Sequence, residues 1–486
     1  MERRLPIGAE VIAAGGVHFR VWAPGSKRVA VEGQGLSGET PSLALTAESN
    51  GYFSGLLADA KEGFRYKLRL ESGSFPDPAS RFQPEGPHGP SQVVDPATFQ
   101  WSDQSWRGLP PKDLVIYEMH LGTFTPEGTW AAALEQLSEL HTLGVTALEI
   151  MPIADFPGRF GWGYDGVDLY APTRLYGSPD EARRFINRAH ELGMMVLLDV
   201  VYNHFGPDGN YLKQFSKDYF SSKYSCEWGE ALNFDGDESG PVREFFISNA
   251  RYWIDEFHFD GLRLDATQQI FDSSENHLLC EISKAARKAG NGKLIYLVGE
   301  NEPQQSRMVR ACENAGYGLD ALWNDDYHHS ALVAATGKRE AYYSDYLGAP
   351  QEFISAAKYG CLFQGQYYQW QQKRRGTPAF DLSPLNFVVF LQNHDQIANS
   401  LRGQRVHELT SFAKLKALTA LTLLSPSTPM FFQGDEFAAT APFLYFADHN
   451  ADLNKLVSKG RASFLQQFPT IGTSESQALL ADPAAP

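Results

Sequence analysis

Asp199, Asp265, Glu300 and Asp395 each stand at, or just past, the end of an apolar run of the length of a buried strand. A single Asp or Glu is most often a solvated surface charge, but four in equivalent positions need a common cause, and a catalytic cleft supplies one. Cleaving an acetal bond with retention takes one carboxylate to attack the anomeric carbon and one carboxylic acid to protonate the leaving oxygen, about 5 to 5.5 Å apart. Asp265 suits the attack, because Arg263, two residues earlier on the same strand, points into the same cleft under period-two geometry and favours the ionised form. Glu300 suits the acid/base role, since the charges of Asp265 and Asp395 close by are expected to raise its pKa. Once Asp265 is an ester, one charge vanishes and Glu300 can release its proton and activate water. Asp395 suits a clamp on sugar hydroxyls that tightens as the ring flattens toward an oxocarbenium ion. His204 and His394 adjoin Asn203 and Asp395 at strand ends and can donate to the same sugar.

Side chains so far apart in sequence meet only if a fold brings strand ends together. Eight candidate strands run Leu114–Leu121, Val145–Pro152, Met194–Val201, Gly261–Ala266, Leu294–Glu300, Ala321–Asp325, Phe387–Gln392 and Pro429–Gln433. Helical stretches such as Thr129–Leu143, stopped by Gly144, and Ser411–Leu424 alternate with them. This is the pattern of an α/β protein with a (β/α)₈ TIM barrel, over 106–470, whose catalytic groups lie at the C-terminal ends of its strands. The segment 205–240, rich in Gly, Asp, Ser and aromatics, reads as a small subdomain inserted after the third strand. Ahead of the barrel, short alternating runs punctuated by Gly, Pro and Ser predict an N-terminal immunoglobulin-like β-sandwich within 1–105. Pro76, Pro78, Pro84, Pro87 and Pro90 read as an interdomain connection that resists helix and ladder alike. The end, 471–486, reads as a linker tail.

Composition narrows the partners. A formal net charge of −16 excludes the basic face that nucleic acid requires. A hydrophobic share of 43% with 21% charged residues allows a large core. Cys226, Cys280, Cys312 and Cys361 are widely spaced without a CxxC pair, so reduced thiols are expected and no zinc site. No signal core and no apolar run of about 20 residues appears, so a cytoplasmic protein that does not enter a membrane is expected.

The segments Asp199-Val-Val-Tyr-Asn203-His204, Gly261-Leu-Arg263-Leu-Asp265, Val298-Gly-Glu300-Asn and Asn393-His394-Asp395 resemble the four signature regions of the α-amylase superfamily of retaining glycoside hydrolases. The run Gly163-Tyr164-Asp165-Gly166-Val167-Asp168 also matches, and the resemblance implies that Tyr164 stacks on the sugar in the cleavage subsite. Within that superfamily the chain resembles the trehalohydrolases over nearly its whole length, at Val115–Phe124, Ala266-Thr267, Trp323–His329 and Phe390–Ile397. That likeness implies hydrolysis of the α-1,4 bond next to the terminal trehalose of maltooligosyl trehalose, releasing trehalose and a maltodextrin. It extends the substrate-binding set to Tyr164, Asp199, His204, Arg263, His394 and Gln396. Asn324, Asp325, Asp326 and His328 are the candidates for holding trehalose, against the reading that this cluster is a buried ion-pair network. Calcium-binding members use a histidine four residues after the nucleophile. Gln269 stands there, so no metal and no cofactor is expected. The resemblance also implies a β-domain after the barrel; without it, apolar barrel surface is expected to be exposed. A monomer or weak homodimer is expected. A glucan branching enzyme, which passes the glycosyl group to a sugar hydroxyl, and a non-catalytic glucan-binding protein are the alternatives.

Overall fold

The computed structural model describes residues 3–33 and 42–485. Eight parallel strands close a barrel in chain order: Ile116–Met119, Ala147–Ile150, Met195–Val200, Gly261–Leu264, Tyr296–Gly299, Ala321–Trp323, Phe387–Phe390 and Thr428–Phe432. All eight lie on the runs expected from sequence. Their residues are buried on both faces, save for Phe431, which is half-buried, because helices cover the outside and side chains fill the inside; this is why such strands read as continuous apolar runs. Gly261 opens the fourth strand for a steric reason: a Cβ there would lie 1.8 Å from the Tyr296 carbonyl oxygen on the fifth.

The helices begin and end where local chemistry directs. Thr129 accepts from Ala132 N to cap Trp130–Leu143, and Gly144 closes it at φ 105°. Ser411 caps Phe412–Leu423 in the same way. That last helix leaves Phe412, Leu421 and Leu423 exposed, with Leu424 behind them.

Residues before the barrel form two packed antiparallel sheets. One is Gly8–Val11, Val17–Trp22, Tyr52–Leu57 and Thr46–Ala47; the other is Ser42–Ala44, Ala30–Gly33, Arg65–Leu70 and Gly73–Phe75, with Ser91–Gln92 on Arg65–Leu70. Phe19 meets Tyr66 edge-on at 4.8 Å between them. The proline-rich stretch itself forms no strand, Ser91–Gln92 just beyond it joins a ladder, and Arg81 within it is buried between the rings of Tyr170 and Tyr252, 4.7 Å from each. Tyr52 donates across the same interface to Glu244 at 2.7 Å.

Three excursions shape the upper rim. After the second strand, Ala154–Asp155 pairs with Asp168–Pro172. After the third, the expected insertion contains a hairpin, Phe220–Cys226 with Gly229–Leu232, ahead of helix Ser239–Glu256. The third excursion was not foreseen: helix Asp325–Thr336 is followed by helix Pro350–Tyr359 and a small hairpin, Tyr367–Tyr368 with Lys373–Arg374, before the seventh strand.

Two further expectations need correcting. Cys280 and Cys312 form a disulfide with Cα atoms 5.9 Å apart. Helix Leu278–Ala289 and the loop after the fifth strand bring together thiols that sequence spacing alone keeps apart. The tail 471–486 is not a free linker, since Ile471 is buried, Ser474–Gln477 forms a helical turn and Ala447 N donates to Pro483 O. No helix among the described residues is long and apolar enough to cross a membrane.

Candidate active site

A cleft of about 820 Å³ opens at the C-terminal end of the barrel, and Glu300, Asp325, Asn393 and Gln396 are among its lining residues. Its floor is organised by Arg263. Parallel pairing places Asp199 opposite Arg263 on neighbouring strands, so both side chains leave the sheet on the same side. Nη1 donates to Asp199 Oδ2 at 2.8 Å and to Asp265 Oδ1 at 2.9 Å, and Nη2 donates to Glu300 Oε2 at 2.9 Å. One rigid fork thus holds the two carboxyls expected to do the chemistry. The guanidinium rests 4.0 Å from the centre of the Trp323 ring, a support that the sequence reading did not find.

Asp265 is held on its other side by Asn203, whose amide donates to Oδ2 at 2.8 Å and to the Asp265 carbonyl at 2.9 Å. Asn203 Oδ1 meets His204 Nδ1. The Asn203 side chain is therefore committed to Asp265 and His204, and among the described residues no group of three or more His, Cys, Asp or Glu is placed to hold a metal ion. After Asp265 the chain turns sharply at Ala266, with φ 39° and ψ 53°. This left-handed conformation is costly for alanine, and it aims the Ala266 N–H at Glu300 Oε2, 3.0 Å away.

Burial raises the Glu300 carboxyl above its ordinary value; Arg263 opposes this and Asp265 adds to it. The sequence expectation named neighbouring charges as the cause, but removal from water is the larger one. Both protein contacts fall on Oε2, which leaves Oε1 to carry a proton into the cleft. Burial also pushes Asp199 up to about 7, against the pull of Arg263. Asp265 and Arg263 pack beneath a wall made by Tyr164, whose hydroxyl donates to Asp199 Oδ2 at 2.6 Å and whose ring stacks on His394 with centres 5.3 Å apart.

His394 and Asp395 open a short helix, His394–Ala398, capped by Asn393 through Gln396 N. His394 Nε2 lies 3.7 Å from Asp395 Oδ1, and Asp395 is the most open of the acids. Burial alone lowers the His394 pKa, but Glu118 and then Asp395 push it up to about 9. His204 is lowered by burial to about 4, because the opposing charge of Asp165 is too weak to offset it. Gln396 lines the cleft, with Oε1 accepting from Tyr342 and Tyr343 at 2.9 Å each.

The sixth-strand cluster divides. Asp325 lines the cleft. Asn324, Asp326 and His328 are buried and already engaged, so the expectation that they hold sugar is corrected in favour of a structural network. Asn324 caps its helix by accepting from Tyr327 N at 3.0 Å. Asp326 accepts from Arg375 Nε at 3.1 Å, Tyr346 OH at 2.7 Å and the backbone of Leu362 and Phe363. His328 faces the Leu391 carbonyl at 2.8 Å. The walls beyond the acids come instead from Trp228, Glu302, Trp370 and Gln371. These were missed because they lie in loops without periodicity.

A barrel of this kind, with a carboxylate and a carboxylic acid on one guanidinium, has the equipment of a retaining glycoside hydrolase of the α-amylase type. Similarity searches agree. The alpha-amylase catalytic domain model matches residues 93–228, and carbohydrate-binding module 48, the isoamylase N-terminal domain, matches residues 6–96. The malto-oligosyltrehalose trehalohydrolase of Saccharolobus solfataricus is 43% identical over 89% of this chain and 75% of that protein. The enzyme of the same name from Deinococcus radiodurans is 40% identical over 94% of this chain and 74% of its own length. A solved chain from Salmonella typhimurium superposes with a TM-score of 0.91 at 40% identity, covering 100% of this chain and 81% of that one. The chain belongs to the malto-oligosyltrehalose trehalohydrolase family.

Proposed function

We propose that the protein hydrolyses the α-1,4-glucosidic bond adjacent to the terminal trehalose of maltooligosyl trehalose, with Asp265 as nucleophile, Glu300 as general acid/base and Asp395 as their helper. The observation that carries this reading is the Arg263 fork, which binds Asp265 and Glu300 at 2.9 Å each at the floor of an open cleft. An Asp265 oxygen attacks the anomeric carbon of the glucan. The bond to the leaving oxygen breaks, that oxygen takes the Glu300 proton, and trehalose departs. Glu300, now a carboxylate, removes a proton from water as the water attacks the anomeric carbon and breaks its bond to the Asp265 oxygen. The maltodextrin leaves and the Asp265 carboxylate is restored. Tyr164 walls the cleavage subsite, His394 and Asp395 engage sugar hydroxyls, and Gln396 and Asp325 contribute further along the cleft.

Incubation with maltooligosyl trehalose tests this directly. Free trehalose and a maltodextrin are expected; new α-1,6 branches without trehalose would identify a transferase instead. Glu300→Gln is expected to lower turnover by about 10²- to 10⁴-fold, the usual contribution of general acid/base help. Unchanged turnover would remove Glu300 from the mechanism.

A further inference from the structure

The protons on His394 follow from its neighbours. The Tyr164 hydroxyl has one proton and lies 2.6 Å from Asp199 Oδ2 and 3.0 Å from His394 Nε2. Asp199 Oδ2 already accepts from Arg263 at 2.8 Å, so Tyr164 gives its proton to that carboxylate. The Tyr164 oxygen then accepts, and Nε2 must donate. On the other side of the ring, Nδ1 meets Glu118 Oε1, and the His394 backbone N–H points at Glu118 Oε2 from 3.3 Å. An ionised carboxylate only accepts, so Nδ1 carries a proton too. A ring protonated at both nitrogens is an imidazolium.

A second buried acid lies beside Glu118. Glu149 is the register partner of Glu118 on the second strand, and both of its oxygens are buried without a hydrogen-bond partner. Burial first, and the Glu118 charge second, raise its pKa well above the ordinary range. Glu118, by contrast, meets the imidazole Nδ1 with one oxygen and the His394 backbone N–H with the other. The groups around His394 are thus Glu118, Glu149 and His120 from the first two strands, Tyr164 from the following loop, Asp199, Arg263 and Glu300 from the third to fifth strands, and Asp395 beside it.

We propose that Glu118, on the first barrel strand, is a positioning residue for the reaction: its carboxylate fixes His394 as an imidazolium, so that Nε2 presents an N–H to Tyr164 and the Asp395 side rather than a lone pair. Without that charge the ring keeps one proton, held at Nδ1 by the acceptor on strand one. Nε2 and the Tyr164 oxygen then face each other with lone pairs, and the wall of the cleavage subsite loses its anchor to the seventh strand. Asp395 also loses its neighbouring cation. Glu118 touches no substrate in this scheme; it acts through His394.

The test uses the whole chain labelled with ¹⁵N-histidine. The His394 ring signals are assigned by their loss in His394→Asn. At pH 7.5 the wild-type protein is expected to show both ring nitrogens protonated, and Glu118→Gln, which keeps the shape and removes the charge, is expected to show one. Removing a charge in contact with an imidazole should lower its titration midpoint by about one to three pH units. In the same variant kcat is expected to fall about 10- to 100-fold, the usual loss when an orienting partner is removed, with KM changed less. Glu118→Asp retains the charge and is expected to keep the doubly protonated ring and part of kcat; it also serves if Glu118→Gln does not fold. A neutral ring in the wild-type protein, or an imidazolium that persists in Glu118→Gln, overturns the proposal. The kinetic arm rests on the reaction proposed above, whereas the spectroscopic arm needs no substrate, so the two readings fail separately.

Discussion

Two buried histidines occupy opposite ends of the barrel and are held by similar chemistry for different ends. At the bottom, His190 closes helix Pro179–Glu191, with Nδ1 2.8 Å from Asp103 and Nε2 2.9 Å from Asp260. Trp106 stacks on the ring and donates to Asp260 at 2.7 Å, Val196 N donates to Asp260 at 2.9 Å, and His258 joins Asp103 at 2.7 Å. Both carboxylates are well supplied with donors. At the top, His394 is pinned as tightly, yet Glu149, Asp199 Oδ1 and Arg263 Nε around it have no partner. The lower network also leaves one buried donor, Lys293 Nζ, without a partner, so the difference lies in the acids: the fold engages both oxygens of Asp260, whereas Glu149 and Asp199 keep oxygens unengaged.

The first way to break this contrast is also the largest in effect. Asp260→Asn removes a fully buried charge from the bottom network and is expected to cost about 3–5 kcal/mol in stability, the range for breaking a buried pair. Urea titration measures it. kcat at low temperature should stay within about twofold of wild type, and a loss beyond tenfold would mean that the two ends are coupled. Arg263→Lys is the matching change at the top. It replaces the fork with a point charge and is expected to lower kcat by about 10²- to 10³-fold, the scale of losing one positioned donor, with a smaller change in stability.

Acidity sharpens the comparison. Burial alone would lower the His190 pKa, but Asp260 and Asp103 outweigh it and raise it. Its contribution is therefore complete below the unfolded value of about 6.5 and is lost as pH rises through the raised folded value. The melting temperature should decline over that alkaline window in wild type and less so in His190→Gln. Glu300 also has a raised pKa, and it must be protonated to act as the acid. kcat/KM should therefore persist above the ordinary carboxylate range and fall on the alkaline side as pH passes through the raised Glu300 value. A melting curve and a rate profile that moved together in every variant would contradict the division of labour. The smallest expected effect lies at the interface with the sandwich: Tyr52→Phe deletes one hydrogen bond to Glu244, costs about 0.5–1.5 kcal/mol, and leaves the rate profile in place.

The parts of this molecule that could be read from sequence are those governed by period and burial. Eight apolar runs gave eight strands, because a strand covered on both faces has no polar alternation to disguise it. Asp265, Glu300 and Asp395 could be singled out as candidates because each ends or follows such a run. Asp326 was misassigned because a carboxylate facing Arg375 and one facing a sugar look identical in a string of letters. Cys280 and Cys312 were read as thiols since only the packing of a helix against a distant loop makes them neighbours. The excursion 337–386 was invisible for want of any period, although it supplies much of the cleft wall. Glu118 lay in a segment noted for its likeness to relatives, but no rule of spacing links the first strand to a histidine on the seventh.

Gly261 carries a lesson for anyone diversifying this catalyst. The strand that leads to Asp265 begins at a position where even a methyl group would strike the backbone of the neighbouring strand, so the letters that follow it, including Arg263 and Asp265, are aligned by a contact that tolerates no added side chain. Libraries aimed at altered leaving-group preference should hold residue 261 constant and place their randomised codons in the rim between the sixth and seventh strands.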